Sequence, residues 1–358
     1  MTRALERGLK QSQKNYIVNG GMMVSQENNS TAGSATSFYP VDQFEYAVGG
    51  TTGVASVAQV ANPTPGGSPN RVRVTVTTAA ASVNASDVAY LRQKIEGLRM
   101  ADLQWGTAAA KAITLQFGVK APAGTYSVAL WNGSAARYYV AQYTISAAEA
   151  NTDVIKSVTI LGDQSGTWAK DNTLGCHVFW PLINGSSFQA ATVNAWSNIS
   201  SGNPIGLAGQ ANLYATLGNI FELFDVGLYE GTAAPSFQLP DFPSELLLCQ
   251  RYYAKSFLLA TNPAQNAGFG GALVAVAATS GAGSISFRQY WPVRMRAAPT
   301  VTTYNTNAND ANWWDVNGSA SRVVGLAEQS DNSCRIVMNA TSTAGSQHFI
   351  HWTANARM

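Results

Sequence analysis

Alternation of apolar and polar residues with a period of two dominates the chain from Tyr16 onward. In residues 71–77, three valines at every second position alternate with arginine and threonine. Successive side chains of a β-strand point to opposite faces, so this pattern indicates a half-buried antiparallel strand. The pattern returns in residues 113–119, 126–130 and 176–180, and Asn-Gly turn sequences lie at 132–133 and 184–185. Many short strands with such turns predict an all-β sandwich.

Two segments fit more than one element. Residues 88–95 fit a helix as well as a strand, and residues 245–253 fit a helical turn that leads into a strand. Local propensity does not choose between these alternatives, because contacts with distant parts of the chain decide them. Both stay open on the sequence alone.

Proline-rich stretches divide the chain. The stretch at 62–69 lies inside a series of strands and is predicted to be a surface loop. The stretch at 235–243 follows the strand predicted at 220–229. Proline cannot continue the interior of a sheet, so the later stretch is predicted to be an extended linker. A domain boundary is therefore expected near Leu239.

A length of 358 residues is enough for two folded units. We predict a short terminal segment at 1–15, a β-sandwich at 16–238 and a smaller all-β domain at 239–358. Further strands of the smaller domain are predicted at 284–291, 321–326, 335–339 and 347–352.

Composition narrows the classes of function. Hydrophobic residues make up 46% of the chain and charged residues only 12%, with a net charge of +2. This balance argues against a disordered chain and gives no basic footprint for a nucleic acid. No apolar run approaches the roughly 18 to 20 residues of a membrane span, and the start lacks the apolar core of a secretory signal, so we expect neither membrane insertion nor export by that route. Cys176, Cys249 and Cys334 are widely spaced, which argues against a disulfide framework and a zinc site.

The first 15 residues form a basic segment with two leucines at helical spacing. A helix this short is marginal by itself in water. The segment is therefore predicted either to fray or to be ordered by docking onto a larger assembly. The docking alternative assigns the contact to Arg3, Leu5, Arg7, Leu9 and Lys10.

No constellation of residues predicts catalysis. His177, His348 and His351 lie outside nucleophile-elbow and metal-ligand patterns. On a strand, His348 and His351 would point to opposite faces. Glycoside hydrolysis needs two carboxylates about 5 to 9.5 Å apart, which scattered acids neither support nor exclude. We therefore predict no catalytic residue, no metal and no cofactor.

Aromatic residues point to carbohydrate binding instead. Sugars present apolar C–H faces that stack on rings, and their hydroxyls pair with amide side chains. Adjacent residues of a strand point to opposite sides, so one of two neighbouring tryptophans is predicted to lie in the core and the other to form a sugar platform. The sharpest candidate cluster consists of Asn312, Trp313, Trp314 and Asp315.

A second candidate set belongs to the first domain. Four of its residues flank the 132–133 turn, and at least two of these four are expected to pack in the core. Trp168 and Trp196 lie in loops rich in Asn, Ser and Gly, where a large ring either closes the end of the sandwich or contacts a ligand. The candidates are Trp131, Arg137, Tyr138 and Tyr139 beside the turn, together with Trp196 in its loop.

One junction and seven further short motifs occur along the chain. The most informative is the junction Gly227-Leu-Tyr-Glu-Gly-Thr-Ala-Ala-Pro-Ser-Phe237, followed by Cys249-Gln-Arg-Tyr252. The seven further motifs begin, in order, at Asn15, Tyr39, Arg92, Gly124, Gly166, Pro292 and His351. The first of them is Asn15-Tyr-Ile-Val-Asn-Gly-Gly-Met22 and the last is His351-Trp-Thr-Ala-Asn-Ala356. Together they resemble bacteriophage and prophage tail-fibre or virion-spike proteins, in which a jelly roll of the carbohydrate-binding-module type precedes a fibre β-domain.

The resemblance implies a jelly roll at 16–238, a C-terminal fibre β-domain, and attachment to other virion proteins through the basic N-terminal segment. It implies a homo-oligomer, expected to be a trimer, that resides in the virion after synthesis in the bacterial cytoplasm. The implied function is non-enzymatic binding of host cell-surface polysaccharide for adsorption. Two alternatives stay open: a structural or decorating virion protein, such as a head fibre or collar spike of a phage or gene-transfer particle, and a glycan depolymerase. The sequence departs from the family pattern at Met22, Phe44 and Tyr229. These are apolar substitutions, so the resemblance still implies the fold. It does not imply a family-specific ligand contact.

Overall fold

The computed structural model describes residues 14–283 and 285–358. Strands account for 41% of the chain and helices for 6%, which makes the protein all-β, as the alternation predicts. Outside the described part of the chain lie the predicted attachment residues Arg3, Leu5, Arg7, Leu9 and Lys10.

The chain divides into two compact units. The first consists of Ser30–Asp241 with Met358 and the described residues up to Ser25, and the second consists of Phe242–Arg357 with Gln26–Asn29. The predicted boundary at 238/239 lies three residues before this division, because the helix that begins at Phe242 belongs to the second unit. Nothing in the sequence predicts that Gln26–Asn29 belong to the second unit.

The described residues of the first unit form two antiparallel sheets. Their strands, in chain order, are β1 (Phe38–Val41), β2 (Phe44–Gly49), β3 (Val54–Ala61), β4 (Asn70–Thr78), β5 (Val88–Glu96), β6 (Ile113–Lys120), β7 (Gly124–Asn132), β8 (Arg137–Ile145), β9 (Val154–Ile160), β10 (Leu174–Asn184), β11 (Ser197–Asn198) and β12 (Ile220–Glu230). The seven-stranded sheet has the order β1-β2-β5-β10-β7-β8-β11, and the five-stranded sheet has the order β3-β4-β12-β6-β9. Between the strands lie a short helix, Gly97–Met100, and the 3-10 turns Ala101–Leu103, Ser186–Phe188 and Leu213–Ala215.

Apolar side chains from the facing sides of the two sheets fill one core. Val74 and Phe117 reach it from the five-stranded sheet. Leu91 and Trp180 reach it from the seven-stranded sheet. The two layers form the predicted jelly-roll β-sandwich. Residues 88–95 lie in strand β5, because β2 and β10 both pair with this segment.

The second unit begins with the helix Phe242–Gln250, so the helical alternative for the start of residues 245–253 is confirmed. Its strands, in chain order, are β13 (Tyr253–Lys255), β14 (Leu273–Val276), β15 (Gly281–Ala282), β16 (Ser286–Tyr290), β17 (Thr300–Tyr304), β18 (Trp313–Asp315), β19 (Ala320–Arg322), β20 (Val324–Ala327), β21 (Ser333–Met338), β22 (Thr341–Ser342) and β23 (Gln347–Asn355). In the largest sheet, β23 pairs with β13, β14, β17 and β18, and β19 pairs with β18. Strands β16, β21 and β20 form a second sheet, and β15 pairs with β22. None of the helices in the described ranges is long and apolar enough to cross a membrane.

The strands of the second unit enclose a smaller core. Trp313 and Ile350 of the largest sheet pack in it with Cys334 and Ile336 of the three-stranded sheet. This layered arrangement is the predicted smaller β-sandwich. One predicted strand is wrong in detail, because residues 321–326 are divided between β19 and β20, where the chain leaves one sheet and joins another.

Candidate functional site

The outer face of the seven-stranded sheet carries aromatic and charged side chains in ordered rows. On β10, Trp180 packs in the core between the sheets, so its neighbour Phe179 points to the outer face. The register places Phe179 opposite Arg92 of β5 and Ala129 of β7. Arg92 in turn lies opposite Glu45 of β2. These residues form one row across four adjacent strands.

A second row lies beside the first. His177 of β10 is opposite Lys94 of β5 and Trp131 of β7. Trp131 is in turn opposite Tyr138 of β8. Cross-strand neighbours share a face of the sheet, so the two rows together form one continuous outer surface.

Aromatic rings form the floor of this surface. The ring centroid of Phe179 lies 5.1 Å from that of Trp131, 5.2 Å from that of Tyr90 and 5.4 Å from that of His177. The guanidinium carbon of Arg92 lies 5.4 Å from the ring centroid of Tyr90 and 5.9 Å from that of Phe179. These distances are within the range of a cation–π contact.

The connection between β10 and β12 folds over part of the aromatic floor. Ile205 donates its backbone N–H to the carbonyl oxygen of Phe188 at 2.9 Å. The indole N–H of Trp131 donates to the carbonyl oxygen of Pro204 at 2.8 Å, which ties the connection to the floor. A cleft of about 210 Å³ stays open beside it. The residues that line the cleft are Tyr90, Arg92, Trp131, Phe179, Phe188, Asn203 and Ile205.

A largely buried ion pair holds Arg92 in place. Arg92 donates from Nε to Oε2 of Glu45 at 3.1 Å and from Nη2 to Oε1 at 2.9 Å. The Nζ of Lys94 lies 3.2 Å from Oε2 of the same carboxylate. Burial alone would raise the pKa of Glu45, but the hydrogen bonds and charge of Arg92, reinforced by Lys94, lower it overall. The carboxylate therefore stays ionised at neutral pH and fixes the guanidinium on the aromatic floor.

His177 is a neutral side chain in the second row. It is 8% exposed, and its Nδ1 has no hydrogen-bond partner among the described residues. Burial, followed by the positive charges of Arg92 and Lys94, lowers the pKa of His177 to about 3. The imidazole therefore carries no charge at neutral pH.

The residues predicted around the 132–133 turn do not form one site. Trp131 lines the cleft. Tyr138 lies on the same face but is buried, and its hydroxyl oxygen accepts the N–H of Thr192 at 3.3 Å. The guanidinium of Arg137 binds the carboxylate of Asp163 through hydrogen bonds of 2.7 and 2.8 Å. Neighbouring positions on β8 point to opposite faces, so Arg137 holds a loop while Tyr138 supports the floor.

Trp196 closes one end of the sandwich core. Its ring centroid lies 5.3 Å from those of Trp105 and Trp168 and 5.4 Å from that of Tyr139. Its indole N–H donates to the carbonyl oxygen of Leu161 at 2.7 Å. Of the two alternatives predicted for this ring, the packing supports the lid.

Two residues of the sharpest predicted cluster are buried in the second unit. Trp313 is 0% exposed and donates its indole N–H to the carbonyl oxygen of Val337 at 3.1 Å. Asp315 is buried and accepts a hydrogen bond of 2.8 Å from Nη2 of Arg322. Neither side chain is accessible to a glycan, which corrects the prediction for both. The cause is the alternation of β18, which turns Trp313 and Asp315 inward together.

The side chains of Trp314 and Asn312 are partly exposed to solvent. Trp314 lies on the outer face of the largest sheet, opposite Phe349 of β23. The Oδ1 of Asn312 accepts the backbone N–H of Val324 at 3.4 Å. One tryptophan is thus in the core and the other outside it, as the alternation predicts. Glycan binding by Trp314 and Asn312 stays a prediction.

Sequence reasoning missed Tyr90, Arg92 and Phe179 as site residues. In residues 88–95, Tyr90 and Arg92 occupy alternate positions, which share one face only when the segment is a strand. The open choice between helix and strand concealed that relation. The alternation in residues 176–180 places Phe179 on the face opposite Trp180, but no local pattern shows which residues of other strands lie beside Phe179 on that face.

Two observations bear on metal binding and on acid–base chemistry. Within residues 14–283 and 285–358, no group of three or more His, Cys, Asp or Glu side chains is placed to hold a metal ion. A second cleft, of about 460 Å³, is lined by two acids, Asp102 and Glu230. Burial alone would raise the pKa of Asp102, but hydrogen bonds of 3.0 Å from Lys14 and Tyr16 lower it. A glycosidase general acid needs the opposite shift.

No protein-family model matches the chain, and no curated protein matches it. Among solved structures, the enzymatically active domain of tailspike protein 4 of bacteriophage CBA120 is similar at 12% identity and a TM-score of 0.34, over 61% of this chain and 21% of that one. The CBM22-1 xylan-binding domain from Paenibacillus barcinonensis is similar at 8% identity and a TM-score of 0.29, over 62% of this chain and 97% of that one. A family 11 carbohydrate-binding module of Clostridium thermocellum is similar at 13% identity and a TM-score of 0.27, over 57% of this chain and 96% of that one.

The chain thus spans about a fifth of the length of the tailspike domain. The similarities to all three structures are distant. What each neighbour binds or cleaves is a property of that neighbour.

We predict that acid destabilises the first unit through His177. Its folded-state pKa of about 3 lies below the ordinary value of 6.5, so only the unfolded chain takes up this proton as the pH falls from 6.5 toward 3. Between pH 7 and about 4.5, His177 should therefore lower the free energy of unfolding by about 2 to 3 kcal/mol. Hydrogen exchange measured by mass spectrometry reports this loss on peptides of β5 and β10, separately from the second unit.

The variant His177→Gln should lose correspondingly less stability over the same pH interval. His351→Gln is the matched control, because it removes a buried histidine from the second unit and should leave the pH dependence of β5 and β10 unchanged. Equal losses in the wild type and in His177→Gln would contradict the prediction.

Proposed function

We propose that the first unit binds carbohydrate in the cleft on its outer sheet face, and that the protein is a fibre or spike subunit of a phage or phage-like particle. The observation that carries the binding proposal is the aromatic floor of Tyr90, Trp131 and Phe179 beneath an open cleft of about 210 Å³. Aromatic walls with a few fixed polar groups are the usual composition of a small-ligand site.

The cleft suits the chemistry of a sugar ring. Tyr90 and Trp131 are partly exposed, so their rings are available to stack on apolar C–H faces. Arg92 and Asn203 line the same cleft and offer hydrogen bonds to hydroxyl groups. The floor is held by ring packing, and Arg92 by its ion pair, so little side-chain entropy is lost when a ligand binds.

The virion role is supported by the order of sequence motifs. The junction at 227–237 covers the end of β12 and the start of the linker, which is where the fibre and spike family places its domain boundary. In such an assembly, several copies would present their clefts together. Tethering raises effective affinity by about 10² or more, which suits reversible adsorption to host cell-surface polysaccharide.

We propose binding without hydrolysis. The described residues that line the aromatic cleft include no Asp or Glu. Elsewhere in the first unit, Glu222 is held by Arg71 at 2.8 Å and Asp163 is held by Arg137 at 2.7 Å. These carboxylates support the fold. The two acids that line the second cleft, Asp102 and Glu230, are each held in an ion pair of 3.0 Å, with Lys14 and Lys111. A depolymerase instead needs a pair of acids in which one carboxyl can donate its proton to the glycosidic oxygen.

We expect Tyr90→Ala and Trp131→Ala each to weaken glycan binding at least tenfold. Loss of a stacking ring costs about 1.4 kcal/mol or more, which corresponds to that factor. The ligand is the tightest binder from an immobilised panel of bacterial surface polysaccharides, and its affinity is measured by isothermal titration calorimetry. Trp314→Ala removes a partly exposed ring from the second unit and is the matched control.

Wild-type affinity in both first-unit variants, or a tenfold loss in Trp314→Ala, would move the site away from the cleft. The same incubations are assayed for new reducing ends. We expect none above the blank, and their release would establish a depolymerase.

The second unit has an exposed apolar face. On the outer side of its largest sheet, Val274 and Trp314 flank Phe349 in register, and the ring centroid of Phe269 lies 4.9 Å from that of Phe349. Phe269, Val274 and Val276 are 45%, 49% and 56% exposed. A contiguous apolar surface of this kind favours a protein contact. We propose a second copy of the chain as its partner, in keeping with the trimer that the family resemblance implies.

We expect Val274→Glu to dissociate the oligomer, because it places a charge on the apolar face beside Phe349. Light scattering coupled to size-exclusion chromatography measures the mass. Leu161→Glu is the matched control, because Leu161 is 71% exposed in the first unit and lies on no such face. A monomeric wild type, or an unchanged mass for Val274→Glu, would contradict the proposal.

The virion assignment predicts a location. Antibodies against the second unit should label fibres or spikes when particles from the producing culture are viewed by immunogold electron microscopy. Label over the capsid surface would favour the decorating alternative. Protein confined to the soluble fraction, with unlabelled particles, would contradict a virion role.

A further inference from the structure

We infer that the cleft selects an anionic glycan, with Arg92 as the group that binds a sugar carboxylate. This inference rests on the proposed carbohydrate-binding function and adds the class of ligand. The supporting observation is that only some of the five N–H donors of the Arg92 guanidinium are bound by other residues.

The edge of the Arg92 guanidinium that is formed by Nε and Nη2 already binds Glu45. Nε and Nη2 donate to the two oxygens of Glu45 at 3.1 and 2.9 Å. A guanidinium has five N–H donors in one plane, so both donors of Nη1 and one donor of Nη2 are left. Nη1 makes no hydrogen bond within the described residues, and Arg92 lines the cleft. The remaining donors of Nη1 and Nη2 form the end-on fork that matches the two oxygens of a carboxylate.

No acidic side chain of the cleft lining competes for the fork among the described residues. The carboxylate of Glu45 is bound at the other edge of the guanidinium, where the Nζ of Lys94 lies 3.2 Å from it and the hydroxyl of Tyr39 donates to it at 3.3 Å. Lys94 also donates to the main-chain oxygen of Met358. His177, in the second row, is uncharged at neutral pH. The end-on donors of Arg92 are therefore not bound by a carboxylate of the cleft lining.

The surroundings of Arg92 strengthen its attraction for an anion. Its side chain is only 18% exposed, and the rings of Tyr90 and Phe179 flank its guanidinium. Water is a poorer competitor in such a place, so a charged hydrogen bond there is stronger than one at an open surface. A neutral sugar can use the same donors through a hydroxyl group, but it gains no ionic attraction. The difference between the two ligands is therefore the property to measure.

The test uses matched polysaccharides. Polygalacturonate, alginate and hyaluronan are each compared with their carboxyl-reduced forms, which keep the backbone and lose the charge, and with neutral xylan and galactan. We expect the wild type to bind at least one acidic polymer at least tenfold more tightly than its reduced form. Arg92→Gln should abolish this preference, whereas Arg92→Lys should keep part of it, because lysine retains the charge but lacks the fork.

A second variant guards against a mere loss of folding. Glu45→Gln removes the same ion pair but leaves the guanidinium charged, so it should keep or increase the preference for the acidic form. Equal affinity of the wild type for acidic and reduced forms, or an undiminished preference in Arg92→Gln, overturns the inference while carbohydrate binding stands. Binding to none of these polymers and to none of the bacterial surface panel overturns both proposals.

Discussion

The pairing of β10 with β5 on one side and β7 on the other is the constraint on which the first unit depends. Strand β10 is covered on both faces, so Trp180 belongs to the core and Phe179 to the outer surface. A slip of one residue would exchange the two sets of side chains. The register therefore fixes the core and the aromatic floor at the same time, and neither can change without the other.

The outer face combines an apolar floor with a nearly dehydrated ion pair. Such a pair is costly to bury, and its Coulomb attraction often no more than offsets the loss of hydration. Glu45 and Arg92 are therefore poorly explained as a device for stability. Their geometry has a clearer result, because the carboxylate holds the guanidinium in place through Nε and Nη2, and Arg92 lines the cleft with the donors of Nη1 unused. A charge positioned on an aromatic surface is what the proposed binding of a glycan requires.

Alternation in the sequence predicted much of the fold, including the buried valines of β4 and the inward and outward tryptophans of β18. It predicted less of the candidate site. Trp131 was found because it borders a turn that is visible in the sequence. Tyr90, Arg92 and Phe179 were missed because they meet only through the strand order β5-β10-β7. That order is set by long-range pairing, to which a local pattern is blind.

The excursion of Gln26–Asn29 has a consequence for synthesis. The side-chain amide of Gln26 donates to the carbonyl oxygen of Tyr253, 227 residues further along the chain, at 2.7 Å. Glu27 of the same segment accepts a hydrogen bond from Nη1 of Arg357, 330 residues further along the chain. The ribosome therefore produces the sandwich strands of the first unit well before this second partner exists. These four residues therefore lack their partners while the jelly roll is being made, and their structure is completed only when translation of the second unit is nearly over. A segment made after the first unit thus completes the structure of a segment made before it.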